Sequence, residues 1–214
     1  MTSHALTSRA IPLWLRLILV PVSAFVVGLG IWVTGAVVTN DFRTSMGLTA
    51  LWFAIVAAVA LVVWRRWPAL RLPVSAVAVG TFVLVGGYLV VASVRDVKVN
   101  EIVVAGPALL EGSFAAHAHP TDGVARIVET SSGRVLTLTS FETDPGPDLY
   151  VYVASSRTSG DDVDGSTQLA RLKGNIGNQQ YELPSELDVA GGATVVIWCR
   201  AFSVSFGAAQ LSPT

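Results

Sequence analysis

Up to Val94 the apolar residues of this chain come in long unbroken runs, and from Glu111 they alternate with polar ones. The stretches between Arg16 and Asp41, Arg43 and Arg65, and Arg71 and Arg95 hold 24, 21 and 23 residues without a charge. A helix needs about 20 apolar residues to cross the hydrocarbon core of a bilayer. Three transmembrane helices are therefore predicted over about 17–38, 46–64 and 73–94. Lipid offers the backbone no hydrogen-bonding partner, so a lone apolar run can cross only as a helix. A cleaved signal peptide has an apolar region of about 7–15 residues; the first run is longer, which favours a retained span.

Beyond Glu111 the period is two. Val124, Arg126 and Val128 alternate with Ala125, Ile127 and Glu129, and Leu149, Val151 and Val153 alternate with Tyr150 and Tyr152. Such alternation bounded by Gly, Ser and Asp turns is a strand signal. Strands are predicted near 112–118, 123–130, 133–141, 148–155, 167–173, 178–183, 193–200 and 202–207, with a hairpin turn at Ser132-Gly133. Short strands at this spacing point to a sandwich or barrel over 111–214, and the expectation adopted is a sandwich-like all-β domain. Residues 95–110 read as a connector and 156–166 as a mobile loop.

Charge adds a direction. Only 14% of residues are charged, against roughly 25% in soluble domains. The net charge is +5 before residue 111 and −6 from Glu111 onward, and the acidic half excludes a nucleic-acid partner. Arg9 and Arg16 precede the first span, and the turn after the second, Arg65 to Arg71, holds three arginines in seven residues. The positive-inside tendency puts both in the cytoplasm. Segment 1–16 is then a cytoplasmic N-terminus, and three crossings leave the β-domain extracytoplasmic. The fold class expected is a three-helix transmembrane unit followed by an all-β, sandwich-like extracytoplasmic domain, in a multi-pass protein of the cell membrane.

The spans contain no Asp, Glu, Lys, Arg or His, so an intramembrane ion path or proton relay has nothing to run on. Ala24 with Gly28, and Gly86 beside Gly87, permit close helix contact, which allows a homo-oligomer through the helices. Membrane lipid is the expected surrounding.

Candidate chemistry is sparse. Cys199 is the single cysteine, so no internal disulfide forms and multi-thiolate zinc or iron–sulfur sites within the chain are excluded. On a strand it shares a face with Val195 and Ile197, with Trp198 and Arg200 opposite. One reading is a buried cysteine acting as a small hydrophobe; the other is a redox thiol or ligand. His117 and His119 form H-x-H, which on a strand sets both rings on one face. A copper site is disfavoured, because no His follows Cys199 and the methionines are Met1 and Met46, far from the β-domain. Asp161-Asp162-Val163-Asp164-Gly165 lacks the spacing of a calcium loop, and no G-x-S-x-G elbow supports a hydrolase. No metal site is predicted.

Several ordered motifs go further. Gly112-Ser113-Phe114, His119 with Gly123, Phe141, and Gly146-Pro147-Asp148-Leu149-Tyr150-Val151-Tyr152 are followed by Leu172-Lys173-Gly174 with Gly177, and Tyr181-Glu182-Leu183-Pro184. Val196-Ile197-Trp198-Cys199 and Phe206-Gly207-Ala208-Ala209 with Leu211 complete the set. Over about 111–211 this resembles the DM-thirteen domain family, and it leaves the helices unaccounted for. The resemblance implies an electron-transfer role. The family's single cysteine, matched by Cys199, is thought to work as a bare thiol or as a ligand to a prosthetic group such as haem; beside it, His119 is the other candidate haem or metal ligand of this chain. The expectation is a redox carrier rather than a turnover enzyme, anchored in the membrane and working with an envelope redox or binding partner protein. The alternative is a non-enzymatic envelope binding module on the same anchor.

Overall fold

The computed structural model of the chain describes residues 12–39 and 42–214. Most of the cytoplasmic segment expected over 1–16, with His4 and Arg9, lies outside the described residues, as does Asp41. Helix α1 runs over Leu13–Trp32, α2 over Phe42–Arg66 and α3 over Arg71–Val94. Two stretches, Thr44–Arg66 and Arg71–Val94, are helices long and apolar enough to cross a membrane, whereas the apolar part of the first, Leu17–Trp32, is shorter. Of the three full spans expected, two helices have the length and composition to cross and the first is short. The uncharged run after Arg16 measures composition, and the regular helix stops short of its end. Past Trp32 the turn widens over Val33–Val37, where the Val38 N–H reaches the Val33 carbonyl at 3.2 Å. Thr34 Oγ1 donates back to the Gly30 carbonyl at 2.8 Å, a local bond of the kind that loosens a helix.

Helix α1 packs along α3, and α2 is tied to the widened turn after α1 by Thr49 Oγ1 with Thr34 Oγ1 at 2.9 Å and to α1 by Trp52 Nε1 donating to the Val27 carbonyl at 3.4 Å. An apolar groove of about 640 Å³ remains among the three. It is lined by side chains such as Leu19, Val27, Phe53 and Phe82, and also by Thr81, whose buried hydroxyl has no hydrogen-bond partner. A buried polar group left unpaired costs about 1–3 kcal/mol. Thr81→Val, which keeps the shape and removes the hydroxyl, is expected to stabilise the helices by about 1 kcal/mol, read as a higher midpoint of thermal unfolding in detergent.

The β-domain has the eight strands that the alternation predicts: β1 Ala108–Ala116, β2 Thr121–Thr130, β3 Gly133–Thr143, β4 Leu149–Ala154, β5 Thr167–Arg171, β6 Ile176–Glu182, β7 Ala193–Cys199 and β8 Val204–Pro213. They form one antiparallel sheet in the order β5-β4-β7-β8-β1-β2-β3-β6. This is a near-barrel and not two packed sheets. The reason is β8, which pairs with β7 along one edge and with β1 along the other, so the ladder is never interrupted. Irregular register in five of the ladders supplies the bends that curl a sheet.

The inner face closes on Phe114, Ile127, Leu136, Leu138, Phe141, Val151, Val153, Val195 and Ile197, all buried. Phe114 and Phe141 meet edge to face, ring centroids 5.2 Å apart, a geometry worth about 0.5–1.5 kcal/mol beyond area burial. The opening between β5 and β6 is bridged by side chains. Gln179, fully buried, accepts at Oε1 from the N–H of Lys173 at 3.2 Å, the N–H of Gly174 at 3.3 Å and the Tyr181 hydroxyl at 2.7 Å. Its Nε2 donates to the Gly174 carbonyl at 2.8 Å.

The connector of the sequence reading is an extended segment that lies parallel along the outer edge of β6. Val99 and Glu101 donate from their backbone N–H groups to the carbonyls of Ile176 and Asn178, each at 2.9 Å. Gly177, at φ +108°, leaves room for this, because a Cβ there would strike the Val99 carbonyl. Covering an edge strand in this way removes a template for unwanted pairing. The same segment ties the β-domain to α3, where Asn175 accepts from the Val97 N–H at 2.7 Å and donates to Asp96 at 2.9 Å.

Candidate functional site

Cys199 is the last residue of β7, a strand buried along its whole length between β4 and β8. Its neighbours across the ladders are Leu149 and Val204. Val195, Ile197 and Cys199 point into the main core with Phe206, while Val196 and Trp198 pack on the other face with Val163 and Ala208. The thiol has no exposed surface. Burial pushes it up to about 11, although backbone N–H groups of Phe202, Asp148 and Ala201 work in the opposite direction. Arg200 turns away, over the Tyr150 ring at 4.6 Å and 4.0 Å from Asp148, and so lends the sulfur no cationic help. A group in this state is a neutral thiol at physiological pH, sealed from water.

The hairpin that follows Cys199 faces the helices. Ser203, at φ +48°, donates from Oγ to the Thr39 carbonyl at 3.1 Å, in the link between α1 and α2. Cys199 therefore sits at the end of the near-barrel that meets the bundle.

The two histidines lie close by but not as a pair on one strand face. Strand β1 stops at Ala116, and the backbone then bends so that the N–H groups of His117 and His119 both donate to the Phe206 carbonyl, at 2.9 and 3.3 Å. His117 Nδ1 meets Ser205 Oγ at 2.8 Å, with Asp161 at 3.9 Å. His119 Nδ1 meets Asp144 Oδ2 at 3.0 Å, and its ring stacks on Phe206 with centroids 3.8 Å apart. Each ring thus has its own partner. The expectation of two imidazoles sharing a strand face is corrected, because the strand ends before them.

His119 opens onto a crevice of about 380 Å³ between the end of α3 and the β-domain. Asp96, Asp144, Pro147, Phe202 and Phe206 also line it, and Cys199 does not. Phe206 belongs both to this wall and to the core around the thiol. A haem held between His119 and Cys199 does not fit this arrangement. The sulfur is fully buried and does not line the crevice onto which His119 opens. Among the described residues no group of three or more His, Cys, Asp or Glu is placed to hold a metal ion.

The acidic run is an anchored turn. Val163 is buried against Trp198, and Asp162 accepts from the Asp164 N–H at 3.1 Å. Asp148, read from the sequence as turn chemistry, does more: it accepts from Arg171 at 2.7 Å, and Arg171 and Arg200 both lie over Tyr150. Alternation along β4 gives no sign of this, because the partners come from β5 and the end of β7.

The fold and site define a class: an eight-stranded near-barrel, joined to apolar helices, with a lone thiol sealed at the end nearest them. Residues 113–211 match the family described as Electron transfer DM13, a match that covers most of the β-domain. No curated protein and no solved structure matches the chain.

Proposed function

We propose that this chain is a membrane-anchored electron-transfer protein. Its β-domain stands on the extracytoplasmic side, and Cys199 is its redox-active thiol. The observation that carries the reading is the family match, which spans the β-domain from Ser113 to Leu211. The anchor draws on the two long apolar helices and on the large apolar side chains they leave exposed, among them Val59, Leu72, Phe82 and Val94. A surface of that kind belongs against lipid or protein and not water. The orientation draws on the turn of Arg65, Arg66 and Arg71, which joins α2 to α3 at the end away from the β-domain, as the positive-inside tendency asks. Close approach of a second copy through the helices draws on Gly28, Gly86 and Gly87, where an added Cβ would meet nothing within 4 Å.

A thiol is the reduced form of its couple, so in this reading Cys199 gives up one electron and its proton to an oxidising partner protein and is returned to the thiol by the reverse step; because the side chain is fully buried, the electron passes through the protein. His119, Phe202 and Phe206 form the wall at which a redox partner protein would dock. Voltammetry of the whole chain in mild detergent tests this. The wild type is expected to give a redox couple that Cys199→Ser and Cys199→Ala both lose while keeping their fold by circular dichroism. A couple unchanged in both variants, or none in the wild type, rejects Cys199 as the centre. The sealing of the thiol favours a second reading, a non-enzymatic envelope binding module. In that case Cys199→Ala captures the same envelope protein as the wild type.

A further inference from the structure

We propose that the notch where α3 gives way to the β-domain binds the headgroup of an anionic phospholipid. The proposal rests on the membrane anchoring argued above and adds a ligand to it. The notch has a volume of about 310 Å³. Its lower wall is the last two turns of α3, with Tyr88, Val91 and Ala92; Arg95, Arg171 and Lys173 stand above them. The last seven residues of α3, Tyr88 to Val94, span about 10 Å and lead into Arg95. That is the order of the step from acyl chains to phosphate at a bilayer surface. Tyr88 and Val91 are exposed on the same helix face, so the notch opens beside the surface that lipid tails would cover, and a tyrosine at this level suits the membrane–water boundary.

The charge is one-sided. No carboxylate lines the notch. Arg171 is held by Asp148 at 2.7 Å and by the Pro147 carbonyl at 3.0 Å, both through Nη2, which leaves other guanidinium N–H groups to donate. Lys173 is neutralised by Glu101 at 2.7 Å. Arg95 is exposed and has no ion-pair partner among the described residues. One uncompensated cation above an apolar wall matches a phosphodiester carrying two acyl chains. A free phosphate would use the cations and leave the apolar wall idle.

The test uses the whole chain and two lipids. Flotation with phosphatidylcholine vesicles reports anchoring alone. Native mass spectrometry from detergent with added phosphatidylglycerol or phosphatidylcholine reports the headgroup site. The expected result is retention of phosphatidylglycerol over phosphatidylcholine, weakened about fivefold by Arg95→Gln and unaffected by Arg66→Gln at the opposite end of the bundle. If the chain floats but shows no headgroup preference, or if both variants weaken retention equally, the site is overturned while the anchoring stands. If glycerol 3-phosphate displaces the lipid at equal concentration, the ligand is a soluble phosphate ester and the lipid assignment fails. A chain that floats with no vesicle removes the anchoring and this proposal together.

Discussion

Replacing Gln179 by leucine is expected to cost the β-domain about 3–5 kcal/mol, far more than the loss of one surface amide. The side chain is fully buried at the seam where the near-barrel fails to close. Leucine fills much of the same volume but accepts nothing. The Tyr181 hydroxyl then loses its acceptor at 2.7 Å, and the N–H and carbonyl of Gly174 lose their partners at 3.3 and 2.8 Å. The Lys173 N–H keeps a bond to the Tyr181 oxygen at 3.1 Å. Three orphaned groups at about 1–3 kcal/mol each, less what the apolar side chain regains, give the stated range. The neighbouring Gln180→Leu is the control. Its Oε1 accepts from the Val104 N–H at an exposed edge, 2.9 Å away, where water replaces the bond, and a loss under about 1 kcal/mol is expected. Denaturant unfolding of both variants in detergent measures the difference. Equal losses would mean that the seam is held by something other than this amide.

Gln179 also marks where reading the chain as a line stops working. Gln179 and Gln180 sit side by side as two polar residues in a strand, and only the strand's place in the sheet makes one of them a core residue. Local alternation was enough to find all eight strands, because each strand shows one apolar face to the core. It could not tell a sandwich from a near-barrel. That depends on β8 pairing on both sides, a relation between residues far apart in the chain. Nor did it find the full length of β8, whose Gly207-Ala208-Ala209 has little strand propensity of its own and is held between β7 and β1. The connector's pairing with β6 was missed for the same reason, since its partners there lie more than seventy residues away. At the site, the period-two rule correctly set Cys199 with Val195 and Ile197. It misplaced the histidines because a bend at the end of β1 leaves no residue-level sign. The apolar runs marked the helices, while the early end of α1 turns on backbone geometry near Thr34 that hydropathy does not register.

Raising the pH from 9 to 11 is expected to take about 2 kcal/mol from the stability of the wild-type domain through Cys199 alone. The sign follows from where the proton is kept. Burial holds the native thiol at about 11, whereas an unfolded thiol titrates near 9. Between those values the unfolded chain gives up its proton and the native chain does not, so unfolding gains as pH rises. Below pH 9 both states are protonated and the effect is absent; above 11 it is complete. Tyr181, pushed up to about 12 by burial, adds a second loss displaced by one unit, over pH 10–12. Cys199→Ala is therefore expected to flatten the fall between pH 9 and 10 and leave the later one in place, which unfolding midpoints at half-unit intervals would resolve. Alkylation gives an independent reading. At pH 8 a thiol titrating near 11 is roughly one part in a thousand thiolate, and it is also walled off. Iodoacetamide is thus expected to modify Cys199 at least a hundredfold more slowly in the native chain than in denaturant. Alkylation at the unfolded rate would mean that the hairpin at Ser203 opens readily and that Cys199 meets the solvent. The thiol would then be available to direct chemical exchange, and electron transfer through the wall of Phe202 and Phe206 would no longer be the route that its burial requires.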